Sequence, residues 1–115
     1  MSNDRSSFKY ERSEIYLVEE HAVQGSEQKK TRPWILVGAN VVNRARSTIV
    51  AVPLSSSTKE IPGLSIKVYI NGIFLCAILD QIRALDKKRF IRYEGDVVQA
   101  EMDLIDDGLC QILGL

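Results

Sequence analysis

The chain has 115 residues, 45% hydrophobic and 26% charged, with 15 Lys and Arg balanced by 15 Asp and Glu. That length accommodates one domain with its own core, and the composition excludes global disorder. It also excludes a transmembrane helix, since the longest apolar run, Ile73 to Leu79, falls far short of the roughly 18 to 20 residues a span needs.

In chain order, residues 1 to 12 are Ser- and charge-rich and read as a flexible arm before a single domain over residues 13 to 115; without an apolar segment in that arm, no secretory signal is expected. Ser13 to Glu19 alternates as a strand does. Glu20 to Thr31 lacks apolar periodicity, contains Gly25 and His21, and reads as a charged loop in which the histidine is solvated. Pro33 cannot donate to a ladder and suits a strand's first position, ahead of a buried strand over Trp34 to Gly38 and a polar turn or short helix over Asn40 to Ser47. Thr48 to Leu54 is a second β-branched run, followed by a Ser/Thr-rich loop from Ser55 to Gly63. Leu64 to Ile70 and Ile73 to Leu79 flank Asn71-Gly72, the strongest hairpin signal in the chain. Asp80 to Lys88 reads as a connector and Arg89 to Tyr93 as a short basic strand. Val98, Met102, Ile105, Leu109 and Ile112 then recur at helical spacing, with Asp96 and Gln99 as a cap and Gly108 as a helix-weakening residue costing about 1 kcal/mol relative to Ala. Strands closed by one terminal helix imply an α+β, mainly β fold, a strongly bent antiparallel sheet or half-barrel with the helix packed on it.

The charge is unevenly distributed. Residues 1 to 92 hold all 15 bases against nine acids, an excess of six, whereas residues 93 to 115 carry six acids and no base. This points to a basic working surface and a separate acidic element. Cys76 and Cys110 match neither a disulfide framework nor a metal motif, so two reduced core thiols in a cytoplasmic protein are expected. One histidine and no ligand-spaced cluster argue against a zinc or two-metal hydrolase, and no nucleophile elbow, phosphate loop or dinucleotide fingerprint is present. Any chemistry then rests on arginine, carboxylates and hydroxyls. RNA cleavage suits that set, because the ribose 2′-hydroxyl is the nucleophile and the protein need only align it, accept its proton and stabilise the phosphorane. Arg32 beside Pro33 is a natural phosphate clamp, although from residue type alone an ordinary surface arginine flanking a strand is the commoner case.

Three segments in register carry a resemblance. Gly25-Ser26-Glu27-Gln28 leading to Arg32-Pro33, then Val50-Ala51-Val52-Pro53-Leu54-Ser55-Ser56, then Asp80-Gln81-Ile82-Arg83-Ala84-Leu85-Asp86-Lys87-Lys88-Arg89, together resemble the MazF/PemK family of toxin endoribonucleases, or mRNA interferases. The likeness runs from about Glu14 to Leu115. It implies a CcdB/MazF-like, SH3-like small barrel, a homodimer, cofactor- and metal-independent cleavage of single-stranded RNA, and a cognate antitoxin with an acidic tail. It further implies Arg32 as the catalytic arginine and Ser55 where the family usually carries a catalytic threonine. Glu27 and Gln28 fall at RNA-contacting loop positions, and Asp80 with Gln81 at a polar pair ending the hairpin strand. Glu27 and Asp80 are the alternative general bases. Ser26, Lys29, Lys30, Thr31 and Ser56 complete the expected RNA-binding set, with Lys29 and Lys30 in place of small residues. Ile78 stands where some relatives have a second arginine, leaving the charge role to Arg32.

Lys87, Lys88, Arg89 and Arg92 around Phe90 are a candidate basic rim. Tyr10, Tyr16, Trp34, Tyr69 and Tyr93 are expected mostly in the core or an interface rather than stacked on bases. Two other functions compete: a non-enzymatic CcdB-like inhibitor of DNA gyrase, and a relative that has lost activity through Ser55 and Ile78.

Overall fold

A computed structural model describes residues 5–20, 30–57 and 59–115. Seven antiparallel strands, β1 (Glu14–Glu20), β2 (Lys30–Leu36), β3 (Thr48–Ser55), β4 (Ser65–Ile70), β5 (Ile73–Ile78), β6 (Arg83–Asp86) and β7 (Phe90–Asp96), form one curled sheet in the order β4-β5-β3-β2-β1-β7, with β6 also on β3. A short helix, α1 (Asn40–Ala45), bridges β2 and β3, and a long one, α2 (Gln99–Leu113), closes the chain. The fold is thus mainly β, a curled antiparallel half-barrel with a C-terminal helix.

β1, β2 and β3 are buried on both faces. Ile15, Ile35 and Val52 enter a core beneath α2, while their neighbours Tyr16, Trp34 and Ala51 enter a second core with Leu85 and Phe90. Two-sided burial is why Trp34 to Leu36 reads as a continuous apolar run rather than an alternating one. Phe8 and Tyr10, from the stretch expected as an arm, pack on the second core, with the Tyr10 and Tyr16 rings stacked at 5.7 Å. Arg12 pairs with Asp106 and so ties that stretch to α2.

Several local expectations are corrected. Pro33 lies inside β2, not at its start; the β2–β3 ladder ends at Trp34, so the missing N–H falls where β2 has lost that neighbour. The connector over Asp80 to Lys88 contains β6, whose pairing of Thr48 with Asp86 through Ala51 with Arg83 depends on β3 being present. Val98 is exposed because it is the residue before the first helical turn, and Val97 is buried in its place; Asp96 does not cap the helix but accepts from the Tyr93 hydroxyl at 2.6 Å. Cys76 is buried, as expected, whereas Cys110 is exposed. Tyr16 and Trp34 are core residues, while Tyr69 and Tyr93 are exposed.

The Asn71-Gly72 hairpin forms as its chemistry requires, with φ of 50° and 84° at the two turn residues. Gly108 has a purpose that helix propensity does not reveal: a Cβ there would lie 2.3 Å from Cδ1 of the buried Leu79, so glycine sets how closely α2 approaches the turn after β5. Gly108→Ala should therefore lower stability by about 1 kcal/mol in urea unfolding, the overpacking cost of about 1–3 kcal/mol exceeding the helix-propensity gain of about 1 kcal/mol. The Tyr93 phenol is raised from 10.0 to about 12, first by its hydrogen bond to Asp96 and then by burial. Its neutral form is favoured by folding, so this contribution is complete below pH 10 and lost as the pH climbs towards about 12. Tyr93→Phe should accordingly show a shallower decline in urea midpoint than the wild type across that window.

Candidate functional site

The β2–β3 pairing positions the site. Trp34, Ile35 and Leu36 lie opposite Pro53, Val52 and Ala51. Arg32 and Ser55 each lie two residues beyond the last paired positions, Trp34 and Pro53, where the ladder has ended. Both residues line a groove of ≈ 290 Å³ with Thr31, Pro33, Leu54, Ser56 and Leu75. Residues 23 positions apart in the chain thereby line one groove.

β3 is able to open this groove because it changes neighbours. Along one edge it holds β2; along the other it pairs with β6 up to Ala51 and with β5 from Leu54. Pro53 sits in the gap between those two ladders, where its lack of an N–H costs no hydrogen bond. Past Pro53 the strand leans onto β5, and β2 and β3 part around the groove.

The Arg32 side chain is 45% exposed, and its Nε lies 3.3 Å from Oε1 of Glu20. The pairing follows from β1–β2 register: Val18 is opposite Arg32, which puts Glu20 two residues along on the same face. The carboxylate contacts the inner edge of the guanidinium, so the fork formed by the two terminal nitrogens can meet a phosphate bidentately. Ser55 Oγ accepts from the Ser57 N–H at 3.1 Å. Its lone pair is thus engaged and its proton is available to donate to an anionic oxygen.

The other expected site residues are distributed unequally. Lys30 and Thr31 continue β2 towards the groove, exposed, and Ser56 lines it. Asp80 and Gln81 lie on the 3₁₀ turn between β5 and β6, on the edge of β3 away from β2, exposed and not lining the groove. His21, Ser26, Glu27, Gln28 and Lys29 fall outside the described residues. Glu20, the carboxylate nearest Arg32 among the described residues, was absent from the sequence-based set. Its signal was the even spacing from Val18 on β1, legible only once the register with β2 is known.

Two of the four cations of the basic rim have intramolecular partners. Arg92 pairs with Glu94 at 3.1 Å, Lys87 Nζ stands 5.0 Å from the centre of the Tyr10 ring, and Phe90 is buried beneath them. Among the described residues no group of His, Cys, Asp and Glu is placed to hold a metal ion, and no helix is long and apolar enough to cross a membrane.

The architecture and the sequence have known counterparts. A relative named Endoribonuclease MazF, from Staphylococcus epidermidis, is 29% identical over 112 residues, covering 90% of this chain and 91% of that protein. A solved structure titled as an endoribonuclease in complex with its cognate antitoxin, from a mycobacterial species, superposes with TM-score 0.75 at 26% identity, covering 91% of this chain and 95% of that one. The MazE–MazF structure from Deinococcus radiodurans has the same fold, with TM-score 0.84 at 18% identity over 95% of this chain and 99% of that one. The family profile described as PemK-like, MazF-like toxin of type II toxin-antitoxin system matches residues 11–113, and the chain belongs to that family.

Proposed function

We propose that this protein is the toxin of a type II toxin–antitoxin pair and acts as a metal-independent endoribonuclease on single-stranded RNA. The observation that carries the reading is the juxtaposition of Arg32 and Ser55 in one groove at the parting of β2 and β3. The relatives named as endoribonucleases favour this over gyrase inhibition.

In the reaction the ribose 2′-oxygen attacks the adjacent phosphorus, its proton passes to a carboxylate, and the P–O5′ bond breaks as the 5′-oxygen takes a proton from water. The products are a 2′,3′-cyclic phosphate and a 5′-hydroxyl. Arg32, held from behind by Glu20, neutralises the charge that accumulates on the phosphorane; the Ser55 hydroxyl donates to a non-bridging oxygen and fixes the phosphate in line. An arginine stays protonated at any working pH, so its role is charge stabilisation and not proton abstraction. Glu27 and Asp80 are the bases the family likeness implies, with Ser26, Gln28, Lys29, Lys30, Thr31, Ser56 and Gln81 binding the strand; because Asp80 and Gln81 do not line the groove, they would act on RNA that extends beyond it. The working form is a cytoplasmic homodimer that needs no cofactor. It is silenced by a cognate antitoxin whose acidic tail competes for the Arg32 groove; relatives solved with their antitoxins support such a partner.

Two measurements test this. On a defined single-stranded oligoribonucleotide in EDTA, Arg32→Ala should lose about 10³-fold in kcat and Ser55→Ala about 10²-fold, the scale of a lost transition-state donor, while Ser55→Thr retains activity and all three stay folded. Full cleavage by Arg32→Ala would reject the reading. In pH–rate profiles of Glu27→Gln, Asp80→Asn and Glu20→Gln, the variant lacking the wild-type acidic limb identifies the base.

A further inference from the structure

The Arg32 groove does not end at Pro33. Its walls Pro33 and Leu75 are shared with a second cavity of ≈ 170 Å³, lined also by Ile15, Ile70, Ile73, Asn71 and Glu94. Asn71 and Glu94 in turn border a third cavity of ≈ 590 Å³ that reaches Tyr93 and Asp96. The three form one furrow, cationic at Arg32, apolar in the middle and polar again beyond the hairpin turn.

We infer that the apolar middle of this furrow is a subsite for the unpaired nucleobase flanking the scissile phosphate, with Glu94 reading the amino-bearing edge of that base. The inference rests on the RNA-cleavage reading above. Aliphatic walls from Pro33, Ile70, Ile73 and Leu75 suit the faces of a flat heteroaromatic ring and offer nothing to a phosphate. Ile73 is 56% exposed, which leaves an apolar surface open next to a cationic site.

Glu94 is placed there by the backbone. In the β1–β7 ladder Ile15 pairs with Gly95 and Tyr16 with Tyr93, so Glu94 is the unpaired extra residue of a bulge. Bulges re-aim side chains and gather beside functional sites. Gly95, at φ 138°, completes the bend, and a Cβ there would lie 3.2 Å from Cδ1 of Ile70, so the glycine lets the trough wall seat against β7. Asn71 Nδ2 donates to the Glu94 carbonyl at 3.1 Å and fastens the hairpin tip to the bulge.

Arg92 engages one oxygen of the Glu94 carboxylate, Oε1, through Nε and Nη2 at 3.3 and 3.1 Å. The other oxygen can accept from an exocyclic amino group. A carboxylate repels phosphate and accepts from the amino group of cytosine; adenine and guanine carry one as well, and uracil does not. What lies in the trough is therefore a base and not the backbone, and the preferred base carries an amino group.

The experiment is steady-state cleavage of oligonucleotides holding a single ribonucleotide, with the flanking base on either side varied among cytosine, adenine, guanine and uracil. The wild type should prefer amino-bearing bases over uracil at one flank. Ile73→Ala should weaken binding about five- to tenfold, the loss falling on KM rather than kcat, and Glu94→Gln should reduce the preference over uracil to within about twofold. Absence of the preference in the wild type, or wild-type KM and selectivity in both variants, overturns the subsite while leaving cleavage dependent on Arg32. If Arg32→Ala retains full activity, it is the RNA-cleavage reading that fails. If Ile73→Ala raises the dimer dissociation constant in sedimentation and its KM returns to the wild-type value at saturating protein, the trough is an interface between copies and the subsite is overturned.

Discussion

The pairing of β2 with β3 is the constraint on which the remainder of this molecule depends. It places Trp34 against Pro53 and Leu36 against Ala51 in the second core, and by extension brings a guanidinium and a hydroxyl to the point where the strands separate. A one-residue slip would turn Arg32 to the opposite face and move Trp34 out of its core. Register and site are therefore protected by the same burial.

β3 is shared among three partners, and the sharing produces the concavity. With β6 it completes the wall around the second core; with β5 it extends over the core beneath α2. The change of partner at Pro53 leaves the groove between β2 and β3 open to solvent. A regular sheet continuing straight would have closed it with ladder hydrogen bonds. Helix α2 fastens the far side. Met102, Ile105 and Leu109 seal the core, Gly108 admits Leu79, and the Glu101 carboxylate accepts from the Tyr69 N–H at 2.9 Å, satisfying a donor on the edge strand β4.

Electrostatically the chain separates its charges by intramolecular pairing. Asp106 of the acidic helix is engaged by Arg12, and Glu94 engages Arg92. Glu20 sits at Arg32 itself. Removing that pairing would leave the arginine free among rotamers, whereas the contact at Nε restrains it. A net-neutral chain can in this way present a positively charged point at the mouth of its groove.

Local chemistry was readable without coordinates. The Asn71-Gly72 turn, the β-branched runs of β3 and the helical spacing of Met102, Ile105 and Leu109 depend on neighbours a few residues away, and they formed as their residue types dictate. Boundaries were less legible where a distant partner decides them. β6 exists because β3 offers an edge, Val97 displaces Val98 because of where the helix starts, and Pro33 is tolerated inside β2 because the ladder on one side has ended. Among the site residues, Arg32 and Ser55 could be nominated from residue type and family likeness. By itself, then, the sequence determined which turns, strands and helix were available and which side chains had the right chemistry. Tertiary structure alone decided that Arg32 pairs with Glu20 and shares a groove with Ser55, and that Glu94 is the extra residue of a bulge. Register and bulges are settled by the simultaneous burial of two cores, a balance that no local stretch of residues contains.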